Sequence, residues 1–244
     1  MKKFFVIVTS LVGLSILSLY VVLFTSFGNS IISSYMEDYL NDKGIVAFKL
    51  EKFKLTFDKV SLKATIDKNS QISLSGNYDI FSQNIDLQYL VDIKDLTKLE
   101  KFTQQKLVGS LALVGTVKGN ETQLLIKGKS NIFDSQTLYD MQVNDLKPKY
   151  INISIQDAKI EQILTLTNQK SYASGIVDIN VNIKDTNVKS LNGIVSLDVK
   201  QALLNNKLLN SQFEQELKRP ITISGQVNSK LVPNKVISKI TITS

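Results

Sequence analysis

Apolar and polar residues alternate with a period of two along most of the chain. The alternation starts at Val46 and returns in segments such as 72–80, 85–93 and 177–183, separated by short stretches rich in Asn, Asp and Ser. A period of two predicts strands with one apolar face, and the polar stretches predict hairpin connections. Because these connections are too short for parallel crossovers, the pattern predicts a mainly β fold built as an antiparallel meander.

Departures from this period mark the places where strands bend or end. The apolar phase slips at Glu51 and Lys52, which predicts a β-bulge, and Gly115 inside a strand predicts a bend or a close backbone approach. Helical spacing returns only at 96–102, 160–166 and 208–217, which predicts two or three short helices. A strand, a helix and a glycine-led strand recur after roughly 65 residues, which indicates a weak internal repeat.

The N-terminal segment follows a different pattern. Residues 4–27 are uncharged and mostly apolar, and they follow Lys2 and Lys3. As a helix this segment is about 36 Å long, which exceeds the roughly 30 Å hydrocarbon core of a bilayer. The alternative is a signal peptide cleaved near residues 26–28, but the apolar region of such peptides extends to only about 15 residues. The sequence therefore predicts an uncleaved, single-pass transmembrane anchor at 1–28.

Charge around the anchor predicts its orientation. Lysines lie on its N-terminal flank, whereas residues 28–42 contain acidic residues and no Lys or Arg. The positive-inside rule then places the N-terminus in the cytoplasm and the C-terminal domain in the periplasm. Helical spacing predicts an amphipathic neck helix at 29–44. We expect residues 45–244 to form one periplasmic β domain tethered to the inner membrane.

The basic charge of the chain does not favour nucleic acid as a partner. The net charge is +7, from 29 basic and 22 acidic residues. Arg219 is the only arginine, whereas nucleic-acid sites rely on arginine forks and clustered basic patches. The lysines instead occupy alternate strand positions, as at Lys52, Lys54, Lys59 and Lys63, which is typical of a solvated sheet face. A second interpretation is that these lysines meet anionic lipid head groups near the anchor.

The composition excludes most catalytic and metal chemistry. The chain has no His and no Cys, so Ser-His-Asp and Cys-His arrangements, disulfides, and zinc sites built on these ligands are absent. Segment 128–130 resembles the end of a phosphate-binding loop but lacks the required upstream glycine, and Asp178, Asn180 and Asn182 fit the wet face of a strand better than a calcium loop. The scattered carboxylates form no acid and base pair. We therefore expect a protein that is not an enzyme and that has no cofactor or metal.

Several segments resemble one family of bacterial envelope proteins. Residues 109–119 and 124–130 are glycine-punctuated strands, and residues 160–164, Tyr172 and 175–181 follow as a helix, a tyrosine and a glycine-led strand. Together with the anchor and neck, these segments resemble the AsmA/TamB-like family of inner-membrane-anchored proteins, with this chain as a short or truncated member. The resemblance implies an elongated, twisted antiparallel β-sheet groove whose apolar interior holds acyl chains. It also implies a role in phospholipid transport or outer-membrane maintenance.

The candidate lipid-binding residues are the apolar sets expected to point inward. A sheet with few helices must cover its apolar face by closing into a sandwich or barrel, or else leave a groove for lipid tails. Each of these residues also fits ordinary core packing when taken singly. The candidates are Leu74, Tyr78, Leu111, Leu113, Val117, Val177, Ile179, Val181, Val195 and Leu197.

The sequence leaves three functional hypotheses open. The first is a membrane-anchored lipid-binding or lipid-transfer module whose partners are the inner membrane and a phospholipid or other acyl-chain lipid. The second is a non-enzymatic scaffold, a β-sandwich that binds another envelope protein through a strand edge. The third is an anchored jelly-roll adaptor that resembles LptC, a component of the lipopolysaccharide bridge.

Overall fold

The fold is mainly β, as the alternating pattern predicts. The structure is a computed structural model, and it describes residues 23–42, 48–66, 68–104, 106–214 and 216–243. The period-two segments form twelve antiparallel strands. These strands are β1 Lys49–Leu55, β2 Lys59–Thr65, β3 Gln71–Asp79, β4 Asn84–Ile93, β5 Leu111–Gly119, β6 Gln123–Ser130, β7 Gln136–Asn144, β8 Lys147–Lys159, β9 Ala173–Asp185, β10 Asn192–Leu204, β11 Thr222–Val232 and β12 Lys235–Thr243.

All twelve strands belong to one open sheet. Each strand pairs with its neighbours in the chain, so the strand order from edge to edge is β1 to β12. A jelly roll requires strands that pair out of sequence, and a sandwich requires two sheets, so neither alternative describes this fold. The predicted bulge is confirmed, because the register of β1 against β2 shifts between Leu50 and Lys52.

One helix precedes β1 in the described part of the chain, and shorter helices interrupt the meander. They are α1 Ser26–Asp42, α2 Glu100–Thr103, α3 Ile160–Leu166 and α4 Asn206–Phe213, and a 3-10 turn at Leu96–Leu99 leads into α2. The segment predicted as helical at 208–217 ends earlier, because Glu214 adopts a left-handed conformation with φ of 52° and closes α4. The helix expected at 29–44 occupies Ser26–Asp42.

The connections differ at the two ends of the strands. In an antiparallel meander the connections alternate between these ends. Short turns lie at one end, called here the turn end, and they are residues 56–58, 80–83, 120–122, 145–146, 186–191 and 233–234. The opposite end, called here the helix end, carries α2, α3 and α4, which join β4 to β5, β8 to β9 and β10 to β11.

Two hydrophobic clusters lie toward the helix end. The first contains Ile93 and Leu96, against which Leu166 at the end of α3 is packed. In the same cluster, Met36 of α1 packs against the side of the sheet near β1. The second cluster surrounds Ala158 and includes residues of α3. The helices therefore bury only part of the sheet, close to the strand ends.

The membrane anchor predicted at 1–28 lies largely outside the described residues, because the description begins at residue 23. Within the described part of the chain, no helix combines the length and the hydropathy needed to cross a membrane.

Candidate functional site

Strand register places most of the apolar residues of the twelve strands on one side of the sheet, called here the apolar face. Residues that pair across neighbouring strands point to the same side, so a row of partners can be followed from edge to edge. One such row is Leu50, Ala64, Ile72, Val91, Leu113, Ser130, Thr137, Ile155, Ile179, Leu197, Val227 and Ile240. The row is apolar except at its middle, where Ser130 and Thr137 interrupt it.

The opposite side, called here the polar face, has a different composition. Its corresponding row is Lys52, Lys63, Ser73, Leu90, Val114, Lys129, Leu138, Ser154, Asn180, Ser196, Asn228 and Lys239. Cross-strand ion pairs connect its charges, such as Lys118 with Asp86 at 2.8 Å and Lys127 with Asp140 at 3.1 Å. The sheet is therefore amphipathic as a whole.

The structure brings all the candidate groove residues onto the apolar face. The candidates of β3 and β5 pair with residues of β4: Leu74 with Tyr89, Leu113 with Val91, and Val117 with Leu87. These three strands therefore form one continuous surface. Leu197 lies opposite Ile179 in the other half of the sheet. Val177 is buried and belongs to the second hydrophobic cluster, where its surroundings fit core packing. The remaining candidates are half-buried.

The candidate head-group lysines lie on the other side of the sheet. Lys52 pairs with Lys63 in the register of β1 and β2, and Lys54 and Lys59 share that face. Lys63 forms an ion pair with Glu51 at 2.7 Å. All of them are exposed. These lysines and the apolar candidates therefore lie on opposite faces of the sheet.

The described residues cover the apolar face only in part. Cluster residues of the helices shield the strand ends, but side chains such as Leu74, Val117 and Val195 are only half-buried. On β12 the apolar side chains Val236, Ile240 and Ile242 are between 60 and 65 % exposed. Large exposed apolar surfaces are uncommon on soluble domains and mark interaction or ligand sites.

A pair of tyrosines crosses the middle of the apolar face. Tyr89 on β4 and Tyr139 on β7 approach each other over β5 and β6, and their hydroxyl oxygens are 2.7 Å apart. Because either hydroxyl can donate to the other, the pair keeps one O–H hydrogen for a third group. Burial raises the pKa of Tyr89, and the bond to Tyr139 raises it further, so Tyr89 stays protonated near neutral pH.

Two glycines make this crossing sterically possible. Gly115 and Gly128 pair with each other in the register and lie between Tyr89 and Tyr139. A Cβ atom on Gly115 would lie 2.6 Å from the Tyr89 hydroxyl, and one on Gly128 would collide with Tyr139. The close approach predicted at Gly115 is therefore confirmed. The tyrosine pair itself was missed, because only the register shows that residues 50 positions apart share a row.

The polar face contains one apolar depression. Leu90, Ala112 and Val114 line a cavity of about 350 Å³, with Lys129 at its margin. These apolar residues lie between the charged side chains that β4, β5 and β6 carry on the polar face. The alternation of the sequence places them outward but gives no sign that they form a depression.

Helix α1 covers the outer edge of β1 with side-chain hydrogen bonds. The amide of Asn29 donates to the Leu55 carbonyl at 3.0 Å and accepts from the Leu55 N–H at 2.9 Å. Asn41 makes the same pair of bonds with Phe48 at 3.1 and 2.9 Å. Between them, the Leu50 N–H donates to Glu37 at 2.5 Å. These side chains take the place of a neighbouring strand.

The motifs that imitate metal or phosphate sites have structural roles. Asp178 lies on the polar face of β9, where its carboxylate accepts a hydrogen bond from the Asp157 N–H and pairs with Lys200 at 2.6 Å. Segment 128–130 is part of β6 rather than a loop before a helix. Among the residues that the structure describes, no group of acidic side chains is arranged to hold a metal ion.

Comparisons with family models, with curated proteins and with solved structures found no match to this chain. The geometry of the apolar face is therefore the basis for a functional proposal.

Proposed function

We propose that the protein is a membrane-anchored module that binds acyl-chain lipid on its apolar face and contributes to phospholipid transport or outer-membrane maintenance. The observation that carries this proposal is the continuity of that face over twelve strands, together with its incomplete cover by protein. An ordinary core would end in fully buried side chains, whereas much of this face is half-buried. An acyl chain offers the apolar contact that the described residues lack.

The dimensions of the sheet fit lipid tails. Neighbouring strands lie about 4.8 Å apart, so twelve strands extend over roughly 50 Å. One leaflet of a bilayer core is about 15 Å deep, so the apolar face is longer than a single acyl chain. We propose that the sheet curls into a groove with this face inside. Such a groove holds more than one lipid or gives one lipid a path across the strands, from β1 toward β12.

The tyrosine pair gives the proposed groove one polar contact. Tyr89 and Tyr139 lie near the middle of the face, where their remaining O–H hydrogen can be donated to a ligand. The ester carbonyl of a phospholipid is an acceptor of this kind. The groove therefore combines a long apolar surface with a single hydrogen-bond donor, as is common in sites for amphipathic ligands.

The proposed location follows from the sequence. The uncharged segment at 4–27 and the lysines before it support an anchor in the inner membrane with the β domain in the periplasm. The absence of His and Cys from the sequence supports a transport or binding role rather than catalysis. The resemblance to the AsmA/TamB-like family is part of this proposal and rests on the sequence segments alone.

Lipid bound to the purified full-length protein tests the proposal. The protein is purified in detergent, extracted with organic solvent and analysed by mass spectrometry. A matched pair of variants separates the two faces of β5: Val117→Asp places a charge on the apolar face, and Val114→Asp places the same charge on the polar face. We expect Val117→Asp to lose bound lipid because a buried carboxylate is costly beside acyl chains.

The outcome for the control decides the interpretation. Val114→Asp should retain the lipid of the unmodified protein, and circular dichroism should show that both variants keep their strands. If the unmodified protein carries no lipid beyond that of a detergent-only control, or if both variants lose it equally, lipid binding on this face is wrong.

The outer edge of β12 supports a second candidate function. Within the described residues, β12 pairs only with β11, and its whole length is exposed. An exposed edge can accept a strand from another protein. The protein would then act as a scaffold that binds an envelope partner. Photocrosslinkers in β12 should capture a defined partner in membranes, and an absence of crosslinked protein would contradict the scaffold.

A further inference from the structure

Helix α1 carries a second apolar surface, which is exposed and lies on the side away from the sheet. Its members recur at every fourth residue and are between 49 and 71 % exposed: Phe27, Ile31, Tyr35 and Tyr39. Residues four apart lie on the same side of a helix, so they form one stripe about 18 Å long. We call it the α1 stripe.

The α1 stripe faces directly away from the sheet. At 100° per residue its members occupy one side of the helix, whereas the residues that contact β1, such as Asn29 and Asn41, occupy the opposite side. Met36 and Leu40 also face the sheet and pack against the first hydrophobic cluster. Helix α1 is therefore apolar on two sides, and the sheet accounts for only one of them.

The start of α1 allows a change of direction in the chain. The Gly28 N–H donates to the Thr25 hydroxyl at 3.3 Å, and the Asn29 N–H donates to the Thr25 carbonyl at 2.8 Å. This is the arrangement of an N-cap, which begins a new helix. Helix α1 thus begins with its own cap within the last residues of the uncharged segment 4–27.

We propose that α1 lies flat on the bilayer surface with the α1 stripe immersed at the level of the head groups. The proposal rests on the membrane anchor of the proposed function. Tyrosine is favoured at this depth because its ring is apolar and its hydroxyl is hydrated. Asp38 and Asp42 project from the same side of α1 as the stripe and are exposed, so the immersion is shallow and does not reach the centre of the bilayer.

The charges of α1 point to apolar rather than electrostatic attraction. The helix contains Glu37, Asp38 and Asp42 and no basic residue, so anionic lipids do not attract it. With α1 on the membrane, β1 lies next to the bilayer and the sheet extends away from it strand by strand. The β1 end of the proposed groove then lies next to the membrane.

A competing orientation has the turn end on the membrane. Several turns expose apolar side chains there, including Phe81, Leu146 and Val188, and Phe57 joins Phe24 to Phe81 through ring contacts of 6.0 and 6.1 Å. The α1 stripe is favoured because it is continuous and directly follows the apolar segment. Between Phe81 and Leu146 the turn end presents the polar turn 120–122.

Tryptophan reporters distinguish these orientations, because the chain contains no Trp. The full-length protein is reconstituted in bilayers with and without phospholipids brominated on their acyl chains, which quench Trp at the membrane. Single variants place the reporter on the stripe (Tyr35→Trp or Ile31→Trp), at the turn end (Leu146→Trp) and on the polar face of the last strand (Ile237→Trp). Each of these positions is exposed, so the substitutions leave the core intact.

We expect the stripe reporters to lose most of their emission in brominated bilayers, equally with zwitterionic and anionic lipid, while Leu146→Trp and Ile237→Trp keep theirs. Quenching at Leu146→Trp without quenching at Tyr35→Trp would place the turn end on the membrane and overturn the proposal. Stripe emission that is blue-shifted but insensitive to bromine would also overturn it, because a protein would then cover α1. Quenching of the stripe reporters does not require lipid in the groove. The membrane orientation of α1 can therefore be wrong while lipid binding is right, and the reverse.

Discussion

The two edges of the sheet are built in opposite ways. At the β1 edge, α1 supplies five side-chain hydrogen bonds to the strand and adds Met36 and Leu40 to a buried cluster. At the other edge, β12 pairs with β11 alone among the described residues, and every one of its positions is exposed. The apolar face is thus closed by protein at one edge and left uncovered at the other.

This difference indicates how the sheet can interact. An edge strand whose N–H and C=O groups already have partners resists pairing with another strand. Further strands or ligands are therefore directed to the β12 edge and to the apolar face. The buried clusters lie near β1 and around Ala158, whereas the apolar side chains of β12 are exposed.

The largest expected contrast comes from removing the same side chain from the first hydrophobic cluster and from the exposed edge strand β12. Ile93 is 1 % exposed, whereas Ile240 is 61 % exposed on the same face. Ile93→Ala should lower the free energy of unfolding by about 3 kcal/mol, because it leaves a cavity in the first hydrophobic cluster. Ile240→Ala should change it by less than about 0.5 kcal/mol.

Urea denaturation in the same detergent measures both free energies. The pair is its own control, since the residue type and the face are identical. Equal losses for the two variants would mean that β12 is covered in solution, and the contrast between the edges would be wrong.

The second contrast concerns the hydrogen bonds that cover β1. Asn29 is buried and makes two of them, so Asn29→Ala should cost about 1 to 2 kcal/mol and speed hydrogen exchange at the Leu55 amide. Ser34→Ala is the matched control, because the Ser34 hydroxyl bonds only within α1, to the Ser30 carbonyl. Unchanged protection of Leu55 in Asn29→Ala would show that α1 does not cover this edge.

A third, smaller effect is expected at the tyrosine pair midway between the edges. Tyr139→Phe keeps the ring over Gly128 but removes one hydroxyl, so Tyr89 loses its partner at a cost of about 1 kcal/mol. Replacing both tyrosines by Phe should cost no more than the single change, because no hydroxyl is then left without a partner. A double-mutant cycle in urea measures the coupling.

The control for this cycle is Tyr172→Phe, which removes a hydroxyl that donates to Gln212 at 2.9 Å at an exposed site. It should have little effect on stability. Fully additive losses at Tyr89 and Tyr139 would contradict the bond between them.

The smallest expected effect is a pH-dependent loosening of the turn between β9 and β10. The Asn187 N–H, the Ser190 hydroxyl and Lys149 lower the pKa of Asp185 from 3.8 to about 2. The folded turn therefore favours the charged carboxylate, and the contribution is present above about pH 4 and lost as the pH falls toward 2. Amide chemical shifts of Asn187 and Ser190 should follow this titration, and Asp185→Asn should abolish it.

The strands were predictable because the alternation is strong and local. A period of two identifies a half-buried strand without any knowledge of its neighbours, and the slip at Glu51 located the bulge in the same way. Helix ends were less predictable, since Glu214 ends α4 through a left-handed conformation that propensity does not indicate. Consecutive pairing was also expected, because the connections are short.

The candidate site was predictable only as a list of apolar residues. Alternation places Leu74 and Val117 on an inward side of their own strands, but it gives no distance between strands. The contact of Tyr89 with Tyr139 depends on the register of three strand pairs and on two glycines. The cover of β1 by Asn29 and Asn41 depends on the position of α1 beside the sheet.

The amino-acid pattern alone establishes antiparallel strands with one mainly apolar side, because side chains alternate strictly along an extended backbone. It also excludes histidine and cysteine chemistry. The folded arrangement was needed to show that the strands form one open sheet instead of a sandwich, and that one edge is covered while β12 is exposed among the described residues. Closure of a sheet depends on which elements meet in space, and residues far apart in the chain make those contacts.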